Sequence, residues 1–252
     1  MIKNFKTGEL SVNVFGTREE MGKAVANDVA NAISEVLSQQ EECNIIFAAA
    51  PSQNELLSNL AASDKIEWNR INAFHMDEYV GLEASAPQGF GNFLRDRLFG
   101  KLNFKTVNYL DGNTDPQQEC MRYEELLKKN KINIVCGGIG ENCHIAFNDP
   151  HVADFNDKAS VKIVDLDEKC RTQQVNDGCF EMIDEVPRHA LSLTIPVLVN
   201  VDYFFCTVPA ATKAQAVYNT VNEPISEQYP STILRNHPNA KMYVDSDSGK
   251  LV

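Results

Sequence analysis

Apolar and polar positions fall into two kinds of block that take turns along the chain. Short, nearly unbroken apolar runs stand at Cys43 to Ala50, Ile132 to Cys136 and Tyr203 to Val208. Their length, and the absence of a helical period, reads as buried strand. Ile71 to Leu82 begins the same way and runs into a loop. Ser160 to Val164 alternates like a half-buried strand, and Met242 to Val244 is a short last strand at a sheet edge. Between these runs lie amphipathic stretches. Thr17-Arg18-Glu19-Glu20 is a capping box before a long helix to about Gln39. Further helices are expected over Ser52 to Ala62, Pro87 to Phe99, Pro116 to Asn130, Leu166 to Phe180 and Ala210 to Val221. Pro116 sits in a first turn, where its missing N–H costs nothing. Strands and helices taking turns at these lengths predict an α/β fold, a mostly parallel sheet with helices on both faces. No repeat, low-complexity tract or linker divides residues 1–252, so one domain is expected.

Composition narrows the function classes. Hydrophobic content of 43% and charged content of 23% are those of an ordinary globular protein. The formal net charge of −12 argues against nonspecific nucleic-acid binding and against an anionic membrane surface. It also means that a bound phosphate needs a locally positive site. There is no apolar run of about 18 residues to span a bilayer, and the start, Met1 to Glu9, lacks a signal-peptide core. The seven cysteines are odd in number, scattered and never in a C-x-x-C pair. That pattern fits reduced thiols in the cytoplasm, not a disulfide framework or a zinc site, and no metal or other cofactor is expected.

Three segments carry candidate chemistry. The run Ile132 to Cys136 ends in Gly137-Gly138-Ile139-Gly140, and His144 and Asp149 follow. Glycines such as Gly138 and Gly140 let the backbone turn sharply and approach a ligand. A histidine and a carboxylate five residues on, in a loop after a buried strand, suit acid/base work on a small substrate. The bland alternative is a glycine turn with a satisfied histidine. The second segment ends in Asp77 and Glu78. Adjacent strand residues point to opposite faces, so one works in a pocket while the other holds the loop. In the third, Ala48-Ala49-Ala50-Pro51-Ser52-Gln53-Asn54 joins a strand to a helix that Ser52 can cap. Free N–H groups there can bind phosphate, though an ordinary capped helix reads the same way.

Together the first two segments resemble the glucosamine-6-phosphate deaminase/isomerase family. The signatures stand here as Met76-Asp77-Glu78-Tyr79-Val80-Gly81-Leu82 and as Gly138 to Pro150, through Gly140-Glu141-Asn142-Cys143-His144-Ile145-Ala146-Phe147-Asn148-Asp149. The resemblance continues through Val186-Pro187-Arg188-His189, through Lys213, and through Ser231 to Pro238, which is nearly the whole chain. It implies a modified Rossmann-like sugar-phosphate isomerase fold and a small amino-sugar phosphate as substrate, and it leaves a homo-oligomer open. It also implies roles. His144 would move a proton between the anomeric hydroxyl and the ring oxygen, with Asn142 and Asp149 orienting it. Asp77 would take the C2 proton, its carboxyl raised by burial. Ser52 and Gln53 lie in the family's phosphate loop, and Lys213 matches its phosphate lysine. Glu78, Gly138 and Gly140 would complete the substrate contacts.

The chain departs from the family's pattern at several positions. Its phosphate loop has no glycine, Asp149 replaces a glutamate, and Cys143 replaces a glycine. Phe90 stands where an aromatic is expected. A further arginine common in relatives is missing from Val175 to Phe180, and Arg171 either replaces it or is a surface residue. These changes point to a divergent subgroup, whose substrate could be the galacto epimer. Two other functions compete: a 6-phosphogluconolactonase-type hydrolase, whose glycine loop lacks a carboxylate at the place of Asp149, and a non-catalytic sugar-phosphate-binding protein.

Overall fold

The computed structural model describes residues 1–252. The chain opens with strands β1 (Lys3–Thr7) and β2 (Leu10–Val14), joined at Gly8, whose φ of 57° suits the tight turn. Helix α1 (Arg18–Gln39) follows. The Thr17 side chain accepts from the Glu20 N–H at its start, while the Glu20 carboxylate reaches back to Gly16, one residue beyond the usual capping box. Next come β3 (Cys43–Phe47), α2 (Asn54–Ala61), β4 (Ile71–His75), β5 (Asp77–Tyr79), α3 (Phe90–Leu94) and β6 (Thr106–Asn108). They are followed by α4 (Pro116–Lys129), β7 (Ile134–Gly137), β8 (Val161–Asp165) and α5 (Glu168–Asn176). The chain closes with β9 (His189–Leu193), α6 (Ile195–Val199), β10 (Tyr203–Val208), α7 (Ala214–Asn222) and β11 (Ala240–Val244).

Eight strands form one sheet in the order β1-β2-β11-β10-β7-β3-β4-β6, parallel except for the β1–β2 hairpin. Side chains alternate across it. Ile45 and Phe47 of β3 and Ile134 and Cys136 of β7 enter a core of 38 buried residues with α1, α2 and α3. Ile46, Val135, Phe204 and Cys206 enter a second core of 29 buried residues that holds parts of α4 and α7. Continuously apolar strands are what a sheet with a core on each face requires.

Several expectations need correction. Residues 242–244 are not an edge: β11 lies between β2 and β10 because the N-terminal hairpin pairs outside it. The helix expected over Pro87 to Phe99 is short, and past Leu94 it widens into a π turn. The segment from Ile71 is two strands. β4 belongs to the large sheet, whereas β5 pairs antiparallel with β9 in a separate sheet ordered β5-β9-β8. Ser52 does not cap α2, which is entered through a 3₁₀ turn at Pro51–Gln53.

The parallel strands run the same way, so their C-terminal ends share one side of the sheet. From β3 the chain lays down β4 and β6 on one flank, and later β7, β10 and β11 on the other. The loops after β3 and β7 therefore diverge at a topological switch point, where α/β sheets open a crevice.

Candidate active site

The crevice is a narrow cleft with about 560 Å³ of empty space when the solvent at its open mouth is included. Ala48, Ala49, Ala50, Ser52 and Gln53 line it from the loop after β3, and Asp77 from the start of β5. Gly138, Gly140 and His144 come from the loop after β7, Gln173, Gln174 and Asp177 from α5 and its end, and Lys213 from the turn before α7.

The loop after β7 is built around its histidine. The His144 Nδ1 lies 2.8 Å from Asp149 Oδ1. Asn142 donates to the same oxygen at 2.9 Å and to Asp167 Oδ2 at 3.2 Å. The Asp167 N–H donates to Asp149 Oδ2 at 3.3 Å. Asp149 is fully buried. Burial pushes its carboxyl upward, but the hydrogen bond and charge of His144, with Asn142 and the Asp167 N–H, outweigh that and hold it below its ordinary value. An ionised partner keeps the imidazole proton on Nδ1 and leaves Nε2 for the cleft. A Cβ on Gly140 would lie 2.2 Å from His144 Cε1, so glycine is what lets the ring pack there. Cys143 takes the left-handed backbone with φ of 70°, the conformation that favours glycine. Its buried thiol lies 3.7 Å from the Ala216 carbonyl on the far side of the loop, away from the cleft.

The second sheet sets the opposite wall. Asp77 pairs with Ser192 in the β5–β9 ladder. Ser192 Oγ accepts from the Phe147 N–H at 3.0 Å, and Asn148 donates to the Leu193 carbonyl at 2.8 Å. One strand thus registers Asp77 against the histidine loop. Burial, and then the charge of Glu78, push the Asp77 carboxyl well above its ordinary value, as suits a base.

Glu78 is a correction to the expected substrate contacts. Its side chain faces away from the cleft and accepts from the Tyr79, Phe90 and Gly91 N–H groups at 2.9, 3.1 and 2.9 Å. It holds the loop that carries Phe90, whose ring lines the cleft and stacks on Phe147 at 5.5 Å. His75, behind Asp77, is fully buried and accepts from the Leu110 N–H. Desolvation lowers it to about 3, so it is neutral.

Arg171 is a second correction. Its guanidinium is turned inward onto the carbonyls of Ile183 and Val186 at 2.5 and 3.0 Å. Lys213 is different: it is 4% exposed, lines the cleft, and its ammonium has no hydrogen-bond partner in the chain. Desolvation lowers its affinity for the proton while Asp177 and Glu141 act to raise it. Beside it, Gln53 donates to Ser52 Oγ at 3.0 Å and to the Thr207 carbonyl at 3.4 Å, and its own Oε1 is unpaired. Unpaired buried polar atoms are costly and here face a cleft, the arrangement expected of groups awaiting a ligand.

Asp177, in the cleft wall, and Asp167, behind the histidine loop, are additions to the residues read from sequence. Asp167 caps α5, accepting from the Cys170 N–H at 2.6 Å. An aspartate before a helix is a readable cap signal, but its contact with Asn142 spans 25 residues of chain.

The family described as glucosamine-6-phosphate isomerases/6-phosphogluconolactonase has a sequence model that matches residues 16–243. A glucosamine-6-phosphate deaminase of Listeria monocytogenes is 33% identical over 212 residues, covering 84% of this chain and 88% of that protein. One of Clostridium acetobutylicum is 31% identical over 239 residues, covering 93% and 96%. The structure of a monomeric glucosamine-6-phosphate deaminase superposes with a TM-score of 0.87 at 26% identity, covering 96% of this chain and 99% of that one. A 6-phosphogluconolactonase of Thermotoga maritima shares the fold, with a TM-score of 0.77 at 16% identity over 94% and 99% of the two chains. With its fold, its glycine loop and nearly its full length in agreement, this chain belongs to the glucosamine-6-phosphate isomerase/6-phosphogluconolactonase family.

Proposed function

We propose that the chain deaminates and isomerises an amino-sugar phosphate of the glucosamine 6-phosphate type, giving a ketose phosphate and ammonia. The observation that carries this reading is the His144–Asp149 pair, 2.8 Å apart, opening on the same cleft as the buried Asp77.

The roles follow from placement. Lys213, Ser52 and Gln53 hold the phosphate at one end. His144 Nε2 takes the anomeric proton and returns one to the ring oxygen, which opens the ring and frees the C1 aldehyde. The aldehyde acidifies the C2 proton, and Asp77 removes it, giving an enolamine. Return of the proton to C1 gives a ketimine. One water then adds to C2, ammonia leaves, and the ketose phosphate remains. Asn142 and Asp149 keep the imidazole in one tautomer throughout, the service a carboxylate gives a catalytic histidine. Glu78 and Phe90 shape the wall beside Asp77.

The test is ammonia release from glucosamine 6-phosphate and from galactosamine 6-phosphate, with 6-phosphogluconolactone hydrolysis as the control. Turnover of either amino sugar supports the proposal and names the epimer. Hydrolysis of the lactone alone would replace it with the lactonase reading, and binding without turnover with the non-catalytic sugar-phosphate-binding protein.

A further inference from the structure

The cleft that holds the Lys213 cation also holds a carboxylate in its wall. Asp177 lines the cleft with Lys213, and of the charges acting on that buried ammonium it comes first, ahead of Glu141. Arg171, which could have balanced it, is committed to two backbone carbonyls. Asp177 is poorly explained as a structural residue. It sits at the C-terminal cap of α5, where a carboxylate faces the negative pole of the helix, and the last turn carries no base. Its carboxylate accepts from Gln173 Nε2 at 3.3 Å, a long hydrogen bond.

We propose that Asp177 is a specificity determinant that discriminates by charge: it favours ligands carrying an ammonium as well as a phosphate over bare anions. The inference rests on the amino-sugar phosphate reading. Such a substrate carries a phosphate dianion and an ammonium, whereas its ketose phosphate product and inorganic phosphate have no cation. A fixed negative charge at the cleft wall repels the latter two more strongly. It thereby speeds product departure and limits inhibition by free phosphate. A single charge at this depth and partial exposure changes affinity by roughly threefold to tenfold.

The experiment titrates the whole chain and its Asp177→Asn and Asp177→Lys variants with inorganic phosphate and with fructose 6-phosphate. KM for glucosamine 6-phosphate is measured alongside, and thermal unfolding checks the fold. Both substitutions suit a helix C-terminus, so Tm should hold or rise. The expected result is phosphate and ketose phosphate bound about threefold to tenfold tighter by Asp177→Asn, and tighter again by Asp177→Lys, with KM falling less. Unchanged or weaker phosphate binding in a folded Asp177→Asn variant overturns the proposal, and so does equal tightening of the amino sugar. Absence of deamination in the unaltered chain overturns the amino-sugar reading instead, and the phosphate titration still judges Asp177 as a charge at the cleft wall.

Discussion

Asp77 shows how surroundings set the proton affinity of one side chain. The folded chain binds its proton more tightly than the unfolded chain does, because burial and Glu78 disfavour the ionised form. Ionised Asp77 therefore costs stability as pH rises above the ordinary value of 3.8 and through the folded one. The Asp77→Asn variant should release no ammonia yet still bind the sugar phosphate. Its Tm at neutral pH should exceed that of the unaltered chain by a few degrees, about 2–4 °C per kcal/mol for a chain of this size. The gain should fade below about pH 4. Turnover near normal, measured by ammonia release, would remove Asp77 from the role of base. Lys213 makes the complementary case. A charge-assisted phosphate contact is worth about 1.5–3 kcal/mol, so Lys213→Ala should raise KM more than tenfold. The sequence marked both residues, but it marked Glu78 and Arg171 as well. A carboxylate and a guanidinium look equally functional in sequence, whether they face a ligand or satisfy backbone groups.

At the scale of the element, the loop after β7 works as one unit. Asn142, His144 and Asp149 form a continuous hydrogen-bonded chain that reaches the cap of α5 at Asp167. Asp149 supports His144, so loss of either should cost a similar factor, on the order of 100-fold in kcat for displacement of the catalytic group. The double variant His144→Ala with Asp149→Asn should lose little more than either single one, since residues acting together are non-additive. Fully additive losses in steady-state assays would separate the two. The pairing was readable from the five-residue spacing and the glycines. The loop's anchoring was not. It depends on Ser192 and Leu193 of β9, which lie 45 residues from Phe147 and Asn148. The short aspartate is accommodated by the same means, because Asn142 and the Asp167 N–H engage both of its oxygens.

At the scale of the molecule, the first strands and the last strand of the chain meet within the large sheet. β11 lies between β2 and β10, so the last strand of the sequence is an interior strand. Deletion of residues 240–252 should therefore abolish cooperative unfolding, monitored by circular dichroism, because it uncovers β2 and β10 together. Persistence of a sharp transition would show that the β1–β2 hairpin and its helix hold without β11. The sequence by itself determined the alternation of strand and helix, the two-sided burial of β3, β7 and β10, and the glycine loop with its histidine and carboxylate. These are legible because hydrophobic period and turn chemistry act over a few neighbouring residues. Tertiary structure alone decided that β5 leaves the large sheet, that β11 is interior, that Glu78 and Arg171 face away from the cleft, and that Asp177 faces into it. Each of these depends on strand order or on a partner far along the chain, and no local pattern encodes which of several distant segments will pair.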